Sequence, residues 1–444
     1  MKEKYAKAAE RFLRDEEGAR WHDETLWMTR EKRDRLARDL PEWEQLRDLA
    51  SRVKQHVLSR LDEYLPRFAD NAAANGITVH WANDAVEHND IVLRLLEAHD
   101  VKKLVKSKSM LTEECHLNPF LEAHGIEVIE SDLGERILQL MQQPPSHVVM
   151  PAIHLKREAI GKLFEEKLGA EPGNCDPAYL TGLARRHLRA EFLSAGAAMT
   201  GANFGVASTG EVVVCTNEGN ADMGTALAPL HLISMGIEKV IPDPASLAIF
   251  TRLLARSATG QPVTAYTSHY RSPAAGCEIH LVLVDNGRTA MLADKEHDQT
   301  LKCIRCGACM NTCPAYRHAG GYSYSYFIPG PIGIQLGMSR APREHAGDVA
   351  ACTLCYSCGD ACPVKVDLPD QVYRWRQRLD GLGLANGRKK AMARVMRLLL
   401  SSPALLEGCL RLAPLLDKMP RFLLYNSLND WGKHREMPTF ARES

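Results

Sequence analysis

Several signals are missing from these 444 residues, and each absence removes a class of protein. No run of 18 or more uncharged apolar residues occurs, which excludes an ordinary apolar spanning helix. The first twenty residues, MKEKYAKAAERFLRDEEGAR, are charged throughout and hold no apolar h-region, so they do not read as a secretory signal. Neither sign of charge prevails. Lys plus Arg number 55 and Asp plus Glu 55, which leaves no global field to draw in nucleic acid. A G-x-G-x-x-G after a strand, a P-loop, HExxH and G-x-S-x-G are all missing, so nothing marks a dinucleotide, a nucleotide or a hydrolytic triad. With 45% hydrophobic and 25% charged residues the composition is that of a soluble globular protein, and the length calls for two or three domains.

Cysteine, by contrast, is abundant and ordered. CIRCGACMNTCP places thiols at Cys303, Cys306, Cys309 and Cys313, and CTLCYSCGDACP places them at Cys352, Cys355, Cys358 and Cys362. Both copies read C-x2-C-x2-C-x3-C-P, the spacing with which bacterial ferredoxins hold two [4Fe–4S] clusters. In such proteins the fourth cysteine of each frame ligates the other cluster. The expected sets are therefore Cys303, Cys306, Cys309 and Cys362 for the first cluster, and Cys352, Cys355, Cys358 and Cys313 for the second. Gly307 lets its backbone come close to the cluster, and Tyr356 at the equivalent place predicts a second loop more shielded or different in shape. Structural zinc needs only two cysteines per knuckle, and a disulfide framework belongs to small secreted chains. The other five cysteines, Cys115, Cys175, Cys215, Cys277 and Cys409, are scattered singly, as in a reducing cytoplasm. The frames imply electron transfer.

Texture divides the chain into four. Residues 1–64 are rich in helix formers with apolar residues at three- and four-residue steps, and read as a helical segment lying on the next domain. Residues 65–295 alternate short apolar runs with helical stretches such as KREAIGKLFEEKLG, which predicts an α/β domain with a mostly parallel sheet. Strands are expected at 102–107, 125–131, 146–152, 210–216, 238–242 and 279–286. Residues 296–385 form an α-helical ferredoxin-type domain around the cysteine frames, with an irregular Gly-, Pro- and Tyr-rich insert between them. Residues 386–444 are a basic helical tail. From residue 371 onward the chain carries 14 Lys and Arg against 6 Asp and Glu, a net +8. An apolar stripe with charged flanks there most often means a packed helix, with contact to an anionic membrane surface as the rival reading.

Outside the frames the α/β domain offers loops rather than signatures. KSKSMLTEECHLN sets Lys106, Ser107, Lys108 and Ser109 between a strand and a helix, which is either an anion site or a helix cap. His147 and His154 flank the run at 146–152 and read as core histidines or ligands. Thr216, Asn217 and Glu218 follow the strand GEVVVCT in a Gly-rich loop able to present amides to a carboxylate or phosphate.

Taken in order, KSKSM, GIEVIESDLGE, PSHVVMPAIH, ASTGEVVVCTNEGN, CIRCGACMNTCP, GPIG and CPVKVD resemble the lactate-utilisation iron–sulfur proteins, over nearly the whole chain. That family joins a LUD domain, similar in fold to the CoA-transferase and ribose-phosphate isomerase-like group, to a two-cluster ferredoxin module and a helical tail. The resemblance implies an electron-transfer subunit of a cytoplasmic L-lactate-oxidising system. The partners it implies are a Cys-rich CCG-domain subunit, a smaller LUD-domain subunit and an unidentified electron acceptor, without nucleic acid. It assigns no lactate site. A glycolate-type 2-hydroxyacid oxidase subunit is the alternative, but it would carry CCG cysteines after the frames, where this chain has Cys409 alone. A cluster-bearing DNA-binding regulator would need a basic recognition helix, and none is evident.

Overall fold

The computed structural model describes residues 5–384, 387–425 and 436. The chain divides into two compact units, Met1–Gln377 and Arg378–Ser444. The first is built on a six-stranded, fully parallel sheet. Its strands are β1 (Thr78–Ala82), β2 (Lys103–Lys106), β3 (Glu127–Glu130), β4 (Ala197–Gly201), β7 (Leu230–Gly236) and β10 (Glu278–Val284), in the order β1-β10-β7-β4-β2-β3. A smaller sheet, ordered β8-β5-β6-β9, stands beside it, made of β5 (Phe204–Val206), β6 (Glu211–Thr216), β8 (Val240–Ile241) and β9 (Tyr266–Tyr270).

Period-two alternation sends successive side chains of β10 to opposite faces, and both faces are covered. Ile279, Leu281 and Leu283 pack with Val57, Leu65 and Phe68 of the helices Trp43–Ser59 and Leu61–Ala74. Val282 and Val284 pack with Val92, Leu96 and Leu121 on the other side. Each such fully buried aliphatic side chain contributes roughly 1.5–3 kcal/mol. This is why β10 reads in sequence as one apolar run.

The N-terminal helices do more than cover the α/β domain. The helix Glu16–Arg38, capped by Asp15 accepting from the Gly18 amide at 2.9 Å, packs on the helix Pro244–Thr259 and on helices of the cysteine module. His22 Nδ1 donates to the Arg317 carbonyl at 2.9 Å. The segment therefore clamps two modules together rather than lying on one.

Three local expectations need correction. Residues 146–152 form an irregular loop rather than a strand. The Tyr316 and Tyr322 hydroxyls donate to the carbonyls of Ser146 and neighbouring Pro144, at 2.6 and 2.8 Å, and the Ser146 amide donates to the Pro151 carbonyl, so the loop closes on itself and on the cysteine module rather than in a sheet. Residues 238–242 yield a 3-10 turn, Ile237–Lys239, followed by the two-residue β8. The insert between the frames is irregular only in part, because Gly330–Arg340 is a helix, buried from Gly330 to Met338. A Cβ on Gly333 would sit 1.7 Å from the Ile328 carbonyl oxygen, so glycine is what allows that helix to seat.

The second unit, described by itself, contains the helices Gly387–Leu400 and Pro403–Leu412 and a 3-10 turn, Ala413–Lys418. No single helix among the described residues is long and apolar enough to cross a membrane, although one pair bent by 106° has the length and composition.

At the carboxyl ends of the large sheet lies a buried charge network. Arg288 Nε meets Glu238 Oε2 at 2.5 Å, and its Nη1 and Nη2 meet the two Glu114 oxygens at 2.9 and 3.1 Å. Arg340, from the cysteine module, also donates to Glu114. Burial alone would raise Glu238, yet the guanidinium of Arg288 holds it down to about 2 from its ordinary 4.5. Its stabilising contribution is therefore complete above pH 4.5 and lost as pH falls toward 2. Arg288→Met should strand two buried carboxylates and destabilise the fold by about 3–5 kcal/mol, measured as a lower denaturation midpoint near neutral pH. A change within experimental error would mean that water reaches the network.

Candidate functional site

The two cysteine frames fold into the same loop. Arg305 and Gly307 in the first, and Leu354 and Tyr356 in the second, adopt left-handed backbone angles, with φ of 61°, 75°, 56° and 64°. The Arg305 amide donates to Cys303 Sγ and the Leu354 amide to Cys352 Sγ, both at 3.4 Å. A short helix follows each loop, Ala308–Thr312 and Ser357–Ala361, leading to the fourth cysteine and its proline. Thr312 and Ser357 hydroxyls hydrogen-bond between these helices. A Cβ on Gly307 would press to 3.0 Å from His147 Cε1, whereas Tyr356 projects outward, 52% exposed, beside the exposed Cys355. The expectation of a second loop more shielded or different in shape is thus corrected: the backbone is the same and the surroundings are more open.

None of the thirteen cysteines forms a disulfide. Burial raises Cys309 well above its ordinary value, and the charges of Cys303, Cys306, Cys358 and Cys362 push it further. Cys306 is raised by burial and then by Cys362 and Cys303. On the other side, burial raises Cys358, reinforced by Cys313, Cys352 and Cys355. Buried thiols that oppose one another's ionisation become thiolates together only around a positive centre, so this donor set fits an iron–sulfur group. Two N-terminal arginines fix the last turn of the second frame. Arg47 Nε donates to the Cys362 carbonyl at 3.0 Å and its Nη2 to that of Asp360 at 2.7 Å, while Arg33 Nη2 donates to that of Ala361 at 2.8 Å.

Beside the first frame the sheet ends enclose a cavity of about 380 Å³. Its walls come from the loops after β2, β4, β6 and β7, from the helix Pro244–Thr259, and from Arg305, Cys306 and Ile328 of the cysteine module. The carboxyl ends of a parallel sheet are where α/β proteins place ligands. Ser107, Lys108, Ser109, Thr216, Asn217 and Glu218 all line it. Several of them also have structural duties. Ser109 caps the helix Met110–Glu114 through the Thr112 amide, Lys108 Nζ donates to the Val149 carbonyl at 2.8 Å, and Glu218 accepts from the Leu133 amide at 3.1 Å. Thr216 Oγ1 is buried with no hydrogen-bond partner among the described residues.

Three candidates lie elsewhere. Lys106 is fully buried and pairs with Glu130 at 2.7 Å and Glu113 at 3.4 Å, so it balances carboxylates in the sheet rather than facing the cavity. His147 is neutral, held down to about 3 by burial. Its Nε2 donates to Asn311 Oδ1 at 2.9 Å, and its Nδ1 accepts from the amides of Val149 and Met150. His154, lowered to about 4 by burial, lies 2.7 Å from Ser146 Oγ and 3.3 Å from the Tyr322 hydroxyl. Both histidines bolt the 146–152 loop to the cysteine module.

Sequence reading missed Lys239 and Arg305. Lys239 lines the cavity with no hydrogen-bond or ion-pair partner among the described residues, and burial pushes it down to about 8. Arg305 Nη2 lies 3.9 Å from Glu238 Oε1, and its Nη1 is buried without a hydrogen-bond partner among the described residues. One signal was available: the first frame holds a charged residue at the place where the second holds Leu354.

A left-handed Tyr356 costs about 1 kcal/mol relative to glycine. Tyr356→Gly should raise the denaturation midpoint by that amount at unchanged iron content. Loss of iron would assign the ring a part in holding the loop.

Comparison with known proteins agrees with this architecture. Residues 65–290 match the LUD domain family and residues 299–366 the 4Fe-4S dicluster domain family. The chain is 44% identical over 356 residues to lactate utilization protein B of Macrococcus caseolyticus, covering 78% of this chain and 74% of the relative. It is 39% identical over 424 residues to lactate utilization protein B of Geobacillus kaustophilus, covering 91% and 88%. It is also 39% identical over 424 residues to the uncharacterized electron transport protein YkgF of Escherichia coli, covering 93% and 89%. Seated on its LUD sheet with its cysteine frames closed over the strand ends, the chain belongs to the lactate utilization protein B family of iron–sulfur proteins.

Proposed function

We propose that this protein is the iron–sulfur electron-transfer subunit of a cytoplasmic L-lactate-oxidising complex, relaying electrons through two [4Fe–4S] clusters. The carrying observation is the interleaving of the frames. The helices Ala308–Thr312 and Ser357–Ala361, each leading to its frame's fourth cysteine, pack together through the Thr312 and Ser357 hydroxyls, which suits the crossed ligation of two-cluster ferredoxins. We accordingly assign Cys303, Cys306, Cys309 and Cys362 to one cluster and Cys352, Cys355, Cys358 and Cys313 to the other. Bound clusters supply one-electron storage. The chain's own residues hold them through thiolates, direct amides at Cys303 and Cys352 Sγ, and exclude water from Cys306, Cys309, Cys358 and Cys362, each below 10% exposed. The open side is at Cys355 and Tyr356, which suits exchange of electrons with a partner. Lactate as the fuel is supported by the names of the relatives. A CCG-domain subunit and a smaller LUD-domain subunit complete the complex we propose.

Purified without oxygen, the chain should carry about eight iron and eight acid-labile sulfide, and Cys362→Ala about half of each. Reduced Cys362→Ala should keep the EPR signal of the cluster held by Cys352, Cys355 and Cys358, and Cys313→Ala should keep the other. Stoichiometric zinc in a colourless protein would end the iron–sulfur relay. Loss of each variant's own-frame cluster would end the crossed assignment.

The sequence carries no flavin or nicotinamide fingerprint, so the isolated chain should not reduce dyes with L-lactate, and activity should appear when the two partner subunits are added. Rapid lactate oxidation by the chain alone would make it the dehydrogenase itself.

A further inference from the structure

The cavity at the sheet ends has three properties that the relay does not use. It is large: at about 380 Å³ it falls in the size range of small-molecule sites. Its walls are mixed, with Met110, Val149, Leu254 and Ile328 among the apolar residues and Asn203 and Thr216 among the polar ones. Its walls carry four cations, Lys108, Lys239, Arg288 and Arg305, against four carboxylates, Glu114, Asp132, Glu218 and Glu238, and what stands out is not net charge but donors that lack a hydrogen bond. Arg288 is saturated by Glu114 and Glu238, but Lys239 has no partner among the described residues, and Arg305 keeps one nitrogen buried and unpaired. A buried donor such as Arg305 Nη1 left without a partner is costly, so it persists where something else completes it, and half-buried Lys239 lines the same cavity. Lys239 and Arg305 line the same cavity as Cys306 of the first frame. On the polar side, Thr216 Oγ1 is a second buried group without a partner.

We propose that this cavity binds an organic carboxylate, its charge held by Lys239 and Arg305 against the loop that carries Cys306. The planar, forked guanidinium and the ammonium match a carboxylate in charge and hydrogen-bonding directions. Apolar walls accept a carbon body, and Thr216 and Asn203 can recognise a hydroxyl or oxo group on it. The naming of 2-hydroxy and 2-oxo acids as the carboxylates to try rests on the relay reading; the site itself rests on the cavity and its unpartnered groups. An occupant here would add negative charge beside the first cluster, so binding should also be felt as a change in that cluster's reduction potential.

The test uses the full chain, purified anaerobically with its iron content determined. Isothermal titration with pyruvate, L-lactate, 2-hydroxyoctanoate and inorganic phosphate gives affinity and stoichiometry, and redox titration followed by EPR gives the potential. The expected result is one carboxylate per chain, binding more tightly than phosphate, with the potential of one cluster shifted on saturation. Lys239→Met should weaken binding roughly 10- to 100-fold, the range for losing a charged hydrogen-bond partner, at unchanged iron content. Lys239→Arg should retain most of the affinity, and Thr216→Val should weaken 2-hydroxy acids more than simple carboxylates. The proposal is overturned if no carboxylate binds, if phosphate binds equally well, or if Lys239→Met shifts the potential while leaving carboxylate binding intact. In that last case the cations serve only the cluster. Loss of the relay reading would appear instead in iron content or in the partner assay, independently of these titrations.

Discussion

The architecture turns on two buried carboxylates shared among arginines from different modules. Glu114 follows β2, Glu238 follows β7 and Arg288 follows β10, while Arg305 and Arg340 come from the cysteine module. Charges removed from water are tolerable only where partners surround them with good geometry. Two carboxylates bridged by Arg288 and approached by two further arginines meet that condition, and neither module meets it alone. The network therefore fixes how the cysteine module sits on the sheet. By doing so it sets Arg305, and with it Cys306, at the wall of the cavity.

Other contacts reinforce the same docking. Burial keeps His147 neutral, so it can donate from Nε2 and accept twice at Nδ1, a pattern its charged form could not sustain. From the opposite side the N-terminal arginines Arg33 and Arg47 bind carbonyls at the end of the second frame. The cysteine loops are thus held between a buried charge network and a pair of helical clamps. The consequence is an asymmetry between two frames of the same local shape: Cys306 is buried beside the cavity, and Cys355 is exposed.

How far the sequence could be read depended on where each segment found its partners. β2, β3, β6 and β10 are apolar runs whose neighbours lie in the same sheet, so their pattern is visible locally. β7 is broken in sequence by His231 and Ser234, whose polar atoms are satisfied by Thr200 at 2.9 Å and His88 at 2.8 Å. Only tertiary structure supplies those partners, so β7 does not announce itself as a buried strand. The run at 146–152 fails in the opposite direction. It has strand composition, yet its backbone groups bond to Tyr316, 170 residues from Ser146, to Lys108 and to one another rather than to a neighbouring strand.

The sequence alone determined the cysteine chemistry, because thiolate ligation needs a fixed spacing along one loop, and spacing is a local property. It also determined the parallel α/β class, because alternation of apolar runs and amphipathic stretches survives without knowledge of contacts. Tertiary structure decided which loops became a cavity and which became struts. Lys106 and Lys108 are two residues apart, yet one is buried against Glu130 and the other reaches the cavity wall. It decided too that Lys239, expected in a strand, would end a 3-10 turn with no hydrogen-bond partner among the described residues, lining a cavity with a cysteine frame more than 60 positions away. A side chain's charge is written in the sequence, but whether that charge is spent depends on what folding brings to it.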